Sequence, residues 1–391
     1  MAPDAAPPGR RRRPDRVAAV VVCLPGLEAL VAAELEALGI RSRPAGTGAL
    51  AARLTDRQLY DANVRLATAT RILVEAGELT ARTFASLEER IDAVELAPYL
   101  DRSRPVRFRI TSHRSKLHHT GAIEERLRRL LALGPPPGAA DARGTDPAQL
   151  VVVRVDRDRL TVRVDSSGAP LHHRGWRGPA GKAPLRETLA AAALAAVGWT
   201  PDQALVDPFA GSGTIPIEAA RRAAGIAPGA DRPFALERWP SFAPGTWASV
   251  QAAVRDDRAD EGEAPVAPIV ARDRDAGAVA AMTENAARAG VAPRIDVGEG
   301  SVSALVAPDG PPGWIISNPP WGGRLAAGRA GDVRDVYARL GHVVADRFPG
   351  WGLALLVPDV RLAHAAGLRG EPVWRSRAGS TPVHLMARPP G

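Results

Sequence analysis

The stretch ALVDPFAGSGTIPIEAARRA (204–223) decides how the chain is read. A short apolar run, Leu205-Val206, ends on an acid, Asp207. Gly211-Ser212-Gly213 then makes a tight turn, and a helix is expected to start near Thr214. Strand, turn and helix in that order open a doubly wound α/β domain, whose ligand meets the backbone at the carboxyl end of the strand. Phosphate-binding loops do not fit. No Gly-Lys-Ser/Thr follows, and Pro216 stands where a dinucleotide loop needs its third glycine. An acid at the strand tip suits a ligand that carries an ammonium group. S-adenosylmethionine (SAM) has one, so Asp207 is assigned its ammonium and the turn amides its carboxylate. Phe209, Gly211 and Gly213 complete this part of the cofactor site.

Two further stretches extend the domain. APIVARDRDAGAVAAMTENAARAGV (267–291) reads as strand, acid and long helix. Asp273 at the strand tip can accept hydrogen bonds from two ribose hydroxyls. Arg274 lies beside it, and Asp275 is expected to cap the helix. The distance from Asp207 to Asp273 exceeds what one βαβ unit needs, so residues 225–266, rich in Pro and Trp, are expected to hang off the domain as an insertion. In IISNPPWGGR (315–324), Ile315 and Ile316 form another core strand, which puts Asn318 at the edge where ligands bind. Pro319 holds Asn318 extended. The Asn318 side-chain oxygen and the Pro319 carbonyl then offer two acceptors to an exocyclic amine, which has two donors. Trp321 can stack on the base that carries the amine. Such a base has to be flipped out or already unpaired. Asn318, Pro319, Pro320 and Trp321 are therefore the expected reacting site, with Asn318 also beside the cofactor.

The composition is compatible with this. At 391 residues two or three domains are expected. Lys116 and Lys182 are the only lysines, and the abundance of Ala, Gly, Pro and Arg is the bias of a GC-rich genome. A net charge of +8 still favours a polyanionic partner. The single cysteine, Cys23, excludes a disulfide framework, and neither adjacent histidine pair, His118-His119 or His172-His173, sits in metal-ligand spacing, so no metal is expected. No apolar stretch approaches a membrane span, and Glu28 interrupts the apolar run after GRRRRPDR, so a cytoplasmic protein is expected rather than a secreted one.

The first half reads as α+β. Residues 1–16 form a disordered basic tail. Residues 17–75 form one small unit and 76–168 a second, in which PVRFRITSH alternates as a strand and the hairpin turns near Asp156–Arg159. Residues 169–183, basic and Gly-rich, look like a linker into a catalytic domain over 184–391.

With these motifs in place the chain resembles the THUMP-domain RNA guanine-N2 methyltransferases, close to the bacterial group acting on large-subunit ribosomal RNA. FRITSHRSKLHHTGAIEERL (108–127) is similar to the THUMP core, and residues 17–75 to the ferredoxin-like segment before it. DSSGAPLHHRGWR and APLRETLAAAAL resemble the junction into the catalytic domain. DPFAGSGTIPIEAA, IAPGADRPFALERWP and ISNPPWGGRL resemble its successive motifs. The resemblance implies a class I, Rossmann-like methyltransferase domain preceded by ferredoxin-like and THUMP domains. It implies SAM as cofactor and a guanine held at residues 318–321. It also implies an RNA-binding surface of Arg107, Arg109, Ser112, His113, Arg114, Lys116 and His119, to which the junction residues Arg174 and Arg177 are added. Arg126, Arg128 and Arg129 are read as a solvated helix face. The sequence departs from the family pattern at two places. Ser301 stands where an acid usually meets the adenine amino group, with Glu299 as a substitute, and Trp321 replaces the usual Tyr. Ribosomal RNA is expected before transfer RNA, and a monomer is expected. Two alternatives stay open: adenine N6 as the target, or a nucleic-acid-binding protein whose catalytic domain has degenerated.

Overall fold

The computed structural model describes residues 15–138, 148–178, 184–262, 267–322 and 333–391. Most of the expected tail, part of the loop after residue 134 and the end of the expected linker lie outside the described residues. So does the end of the insertion.

The first half contains β1 (Val17–Cys23), α1 (Glu28–Ala37), β2 (Ser42–Pro44), β3 (Ala49–Leu54), α2 (Asp56–Arg65), β4 (Ala69–Thr80), α3 (Phe84–Arg90), β5 (Val106–His113), α4 (Thr120–Leu130), β6 (Gln149–Asp156) and β7 (Arg159–Asp165). These form one seven-stranded sheet, ordered β2-β3-β1-β4-β7-β6-β5. The boundary expected after residue 75 falls inside β4. This strand pairs with β1 from Ala69 to Val74 on one edge and with β7 from Leu73 to Thr80 on the other. With both edges hydrogen-bonded, β4 belongs to both expected units, and the two share one sheet. The β6–β7 hairpin turns at Asp156–Arg159, as expected, through a two-residue loop. Arg157 and Asp158 both have positive φ, at 51° and 66°, the geometry that matches the twist of paired strands.

The second half contains α5 (Glu187–Ala196), β8 (Leu205–Asp207), α6 (Thr214–Ala223), α7 (Pro244–Gly262), β9 (Ile269–Asp273), α8 (Ala276–Arg288), β10 (Asp296–Glu299), β11 (Trp314–Ser317), α9 (Val333–Arg347), β12 (Gly352–Val357), α10 (Val360–Ala365), β13 (Trp374–Ala378) and β14 (Thr381–Arg388). The strand order is β10-β9-β8-β11-β12-β14-β13. The first five strands run parallel, and β14 pairs antiparallel with β12 and β13. From β8 the chain builds outward through β9 and β10, then returns to place β11 on the other side. The switch point therefore lies between β8 and β11, where a doubly wound sheet opens a crevice for its ligand.

Two expectations about the connections are corrected. The insertion does not hang off the domain. Phe234, Leu236, Trp239 and Val250 are buried in the core that also holds Leu59, Tyr60 and Tyr99 of the first half. The Tyr60 ring lies 5.7 Å from Phe242 and 5.8 Å from Trp247, and Trp239 meets Tyr99 at 5.1 Å. The Ala243 amide donates to the Tyr60 hydroxyl at 3.0 Å. So many large aromatic surfaces are stable only out of water, and the first half supplies the cover. Nor are the described residues of 169–183 a free linker. Leu171, Arg174 and Trp176 are each 1% exposed. The Arg232 guanidinium donates to the carbonyls of Ser167, Ala169, Pro170 and His173, which fixes the path of this strap.

Candidate methyltransferase site

Asp207 ends β8 almost fully buried, at 1% exposure. It accepts hydrogen bonds from the Phe209 amide at 3.1 Å and the Ser317 hydroxyl at 2.5 Å. Burial, reinforced by the nearby Asp273 charge, nonetheless pushes its carboxyl up to about 7. Two donors do not offset the loss of water around a buried carboxylate, so a cation brought to Asp207 would be held strongly. The chain turns beneath it through Gly211 and Gly213, with φ of 54° and 88°. A Cβ on Gly213 would lie 2.7 Å from Met282 Cγ, so close packing against α8 as well as the left-handed backbone requires glycine. Asp273, the tip of β9, holds the turn from the side: Oδ2 accepts from the Gly211 amide at 2.9 Å and Oδ1 from the Asp275 amide at 3.0 Å. Each carboxylate oxygen keeps a further lone pair for a ligand hydroxyl. Asp275 caps α8 as expected, accepting from the Gly277 and Ala278 amides. Arg274 is exposed. Glu299 is in register with Asp273 across β9 and β10, and the Gly300 amide donates to the Asp273 carbonyl at 2.9 Å. Ser301 and Glu299 thus stand, both exposed, at the same edge of the sheet.

β11 adds the second wall. Its last residue, Ser317, is fully buried and links to Asp207, a positioning contact the sequence reading did not include. Asn318 follows, and its side-chain Oδ1 is buried with no partner among the described residues. A buried acceptor left unmade costs about 1–3 kcal/mol, so it marks either strain or a donor still to come. Pro319 is buried, and the Pro320 carbonyl accepts from the Tyr337 hydroxyl of α9 at 3.3 Å. Trp321 is half-buried against the catalytic core, and its indole N–H also lacks a partner among the described residues. The buried Asp207 carboxyl and the Asn318 amide oxygen, which has no partner among the described residues, thus sit at and just after the carboxyl ends of β8 and β11, the two strands on either side of the switch point.

Residues 174–384 match the family model described as RMKL-like, methyltransferase domain, and residues 18–73 match the RlmL ferredoxin-like domain. The chain belongs to the RMKL-like methyltransferase family. It is 34% identical over 359 residues to the ribosomal RNA large subunit methyltransferase K/L of Methylococcus capsulatus, covering 88% of this chain and 47% of that protein. It is 32% identical over 392 residues to the protein of the same name from Chromohalobacter salexigens, covering 94% of this chain and 52% of that one. The chain thus spans about half the length of the curated relatives it matches. Among solved structures it resembles SMU.472, complexed with S-adenosylhomocysteine (SAH), with a TM-score of 0.81 and 26% identity over 97% of this chain and 99% of that one. A predicted N6-adenine-specific DNA methylase from Listeria monocytogenes has a TM-score of 0.78 and 28% identity over 95% of this chain and 96% of that one.

The other residues assigned from the family pattern divide sharply. Arg109, His113, Arg114, Lys116 and His119 are exposed, and Arg107 and Ser112 are partly so. Ser112 donates to the Leu117 carbonyl at 2.7 Å, and His119 caps α4 by accepting from the Ala122 amide at 3.1 Å. The loop after β5 is latched to the β6–β7 turn, where Asp158 Oδ1 accepts from the Lys116 amide at 2.7 Å. Its cationic heads therefore stand on a held loop. Arg128 is not solvated: it is 8% exposed and donates to the carbonyls of Gly134 and Val106. The junction arginines are corrected as well. Arg174 is buried, pairs with Glu218 at 3.3 Å and donates to the Ala67 carbonyl at 2.6 Å. Arg177 pairs with Glu187 at 2.7 Å. Neither guanidinium is free for a phosphate. Among the described residues no group of three or more His, Cys, Asp or Glu is arranged to hold a metal ion, and no helix is long and apolar enough to cross a membrane.

Proposed function

We propose that the chain transfers a methyl group from SAM to the exocyclic N2 of a guanosine in RNA, with ribosomal RNA ahead of transfer RNA as the substrate. The observation that carries this reading is the buried Asn318 Oδ1, without a partner among the described residues, at the β8–β11 switch point. SAM supplies an electrophilic methyl on a sulfonium. The residues present fit it: Asp207 for the ammonium, the Gly211–Gly213 turn for the carboxylate, Asp273 for the ribose and Ser301 or Glu299 for the adenine edge. Asn318 Oδ1 and the Pro319 carbonyl then accept from the two N2 hydrogens. An aromatic amine is a poor nucleophile because its lone pair is delocalised into the ring. Fixed acceptors favour the more tetrahedral nitrogen, which gains positive charge as the N–C bond forms and the S–C bond breaks. The amide of Asn318 is not a base, so the surplus proton leaves to water after transfer. Trp321 stacks on the base, worth about 1–3 kcal/mol.

Residues 76–168 form the proposed THUMP half that brings RNA to the slot, with Arg107, Arg109, Ser112, His113, Arg114, Lys116 and His119 on its RNA face. The names of the Methylococcus and Chromohalobacter relatives support ribosomal RNA, and the Listeria relative keeps adenine N6 as a second reading. A monomer acting in the cytoplasm fits both. Labelled SAM incubated with unmodified ribosomal RNA and, separately, transfer RNA, followed by nucleoside mass spectrometry, is the test. Label in N2-methylguanosine from the ribosomal fraction is the expected result. Label in N6-methyladenosine overturns the base assignment. No label, with SAH still bound, overturns the enzymatic reading.

A further inference from the structure

The guanidinium of Arg177, withdrawn from RNA, has another task. Its Nη1 donates to Ser212 Oγ at 2.9 Å and its Nη2 to Thr214 Oγ1 at 2.8 Å, two hydroxyls that flank Gly213 in the glycine turn. Its Nε donates to Glu187 at 2.7 Å, which neutralises the charge, and the group lies 4.9 Å from the Trp176 ring. The strap around it is tied to the same turn a second time. Asn285 donates to the Ser212 carbonyl at 2.9 Å and accepts from the Gly178 amide at 3.1 Å. Three residues earlier, Arg174 grips Glu218 on α6 and the Ala67 carbonyl beyond α2.

We infer that Arg177 is a positioning residue for the methyl-donor site: it sets the glycine turn by holding the hydroxyls on both sides of Gly213. A planar fork with fixed N–H directions locks two acceptors relative to each other, which a lysine ammonium on a flexible stem does not do. The turn has two left-handed glycines; the Gly213 amide is tied within it to the Ala210 carbonyl at 2.8 Å and the Gly211 amide to Asp273, and the Arg177 fork adds the tie that fixes the hydroxyls on either side of Gly213. The inference rests on the proposed use of SAM.

The test is SAH titration by calorimetry on the full chain, with steady-state methyl transfer to ribosomal RNA alongside. Arg177→Lys keeps a cation for Glu187 and removes the fork. Ser212→Ala combined with Thr214→Val removes the acceptors and keeps the arginine. Each is expected to weaken SAH binding and raise the KM for SAM by about tenfold, with kcat at saturating SAM within about twofold. Combining all three substitutions is expected to cost no more than either set alone, because both break the same bonds. A purely structural defect would instead lower the active fraction, and with it kcat, at constant KM. If Arg177→Lys does not fold, the acceptor variant decides. Wild-type SAH affinity in a folded variant, or fully multiplicative losses, overturns the inference. Wild-type protein that binds no SAH overturns the proposed use of SAM instead.

Discussion

With Asp207 proposed to meet the ligand ammonium, cofactor binding is expected to be a proton-linked event. In the free protein burial holds its carboxyl at about 7, against an ordinary 3.8. The sign follows from linkage. An acid whose folded pKa is raised keeps its proton more tightly when folded, so its contribution to stability falls as pH rises from about 4 to about 7 and is level above that. A ligand ammonium needs the ionised form, so binding expels the proton. With half the sites ionised at pH 7 and about a tenth at pH 6, SAH should bind roughly fivefold more weakly at pH 6 than at pH 7, and tenfold more weakly per unit below that. Calorimetry at pH 6 in buffers of different ionisation enthalpy should report release of roughly 0.9 proton per SAH, falling to roughly 0.5 at pH 7. Asp207→Asn should bind SAH at least about tenfold more weakly at pH 7 and lose the pH dependence. SAH affinity that is flat between pH 5.5 and 7.5 in the wild-type protein, with no buffer dependence of the heat, would refute the assignment of Asp207 to the ammonium.

The reacting loop and the RNA face allow sharper separations. Asn318→Ala should lower kcat at least a hundredfold, on the scale of losing a fixed hydrogen-bonding group at a reacting centre, while SAH affinity stays within a few-fold; loss of SAH binding in that variant would mean Asn318 serves the cofactor instead. Trp321→Ala should raise the KM for RNA roughly 5- to 150-fold, the loss of about 1–3 kcal/mol of base stacking, read in the same transfer assay, with the SAH titration unchanged. Arg109→Glu with Lys116→Glu should weaken RNA binding and flatten its salt dependence in filter binding without moving Tm, since both side chains are exposed; an unchanged salt slope would remove this face from the RNA path. Trp247→Ala should cost about 3 kcal/mol in denaturant unfolding, because its ring meets Tyr60, Phe234 and Phe242; an effect below 1 kcal/mol would mean that the insertion is not held by that cluster.

What could be read from the residues was the part carried by local pattern. Asp207 followed by the glycine turn, Asp275 as a helix cap and Asn318 after an apolar pair each depend on a few neighbours in the chain, and the structure has all three. The parts that resisted depend on distant partners. Nothing local distinguishes Arg174 and Arg177 from Arg109, yet the first two meet Glu218 and Glu187 across the fold while Arg109 faces water. β4 looks like the end of one unit because its alternation does not reveal that both of its edges are paired. The tryptophans of the insertion advertise burial without saying against what, and the answer lies in α2 and near Tyr99, far earlier in the chain. Ser317 reads as one more small strand residue until β8 and β11 are known to be neighbours.

The return of the insertion to the first half has a consequence for how this architecture can be cut and recombined. A fragment beginning at the catalytic domain would carry Phe234, Trp239, Phe242 and Trp247 with no surface to meet them. It is expected to associate with itself or with chaperones rather than remain dispersed. The converse fragment would leave Tyr60 and Tyr99 uncovered in the same way. Exchanging the first half between relatives therefore requires the insertion to travel with it, although the two are separated in sequence by β8 and the glycine turn. Under the proposed function, in which the first half brings the RNA, substrate choice would be inherited as a discontinuous pair of segments.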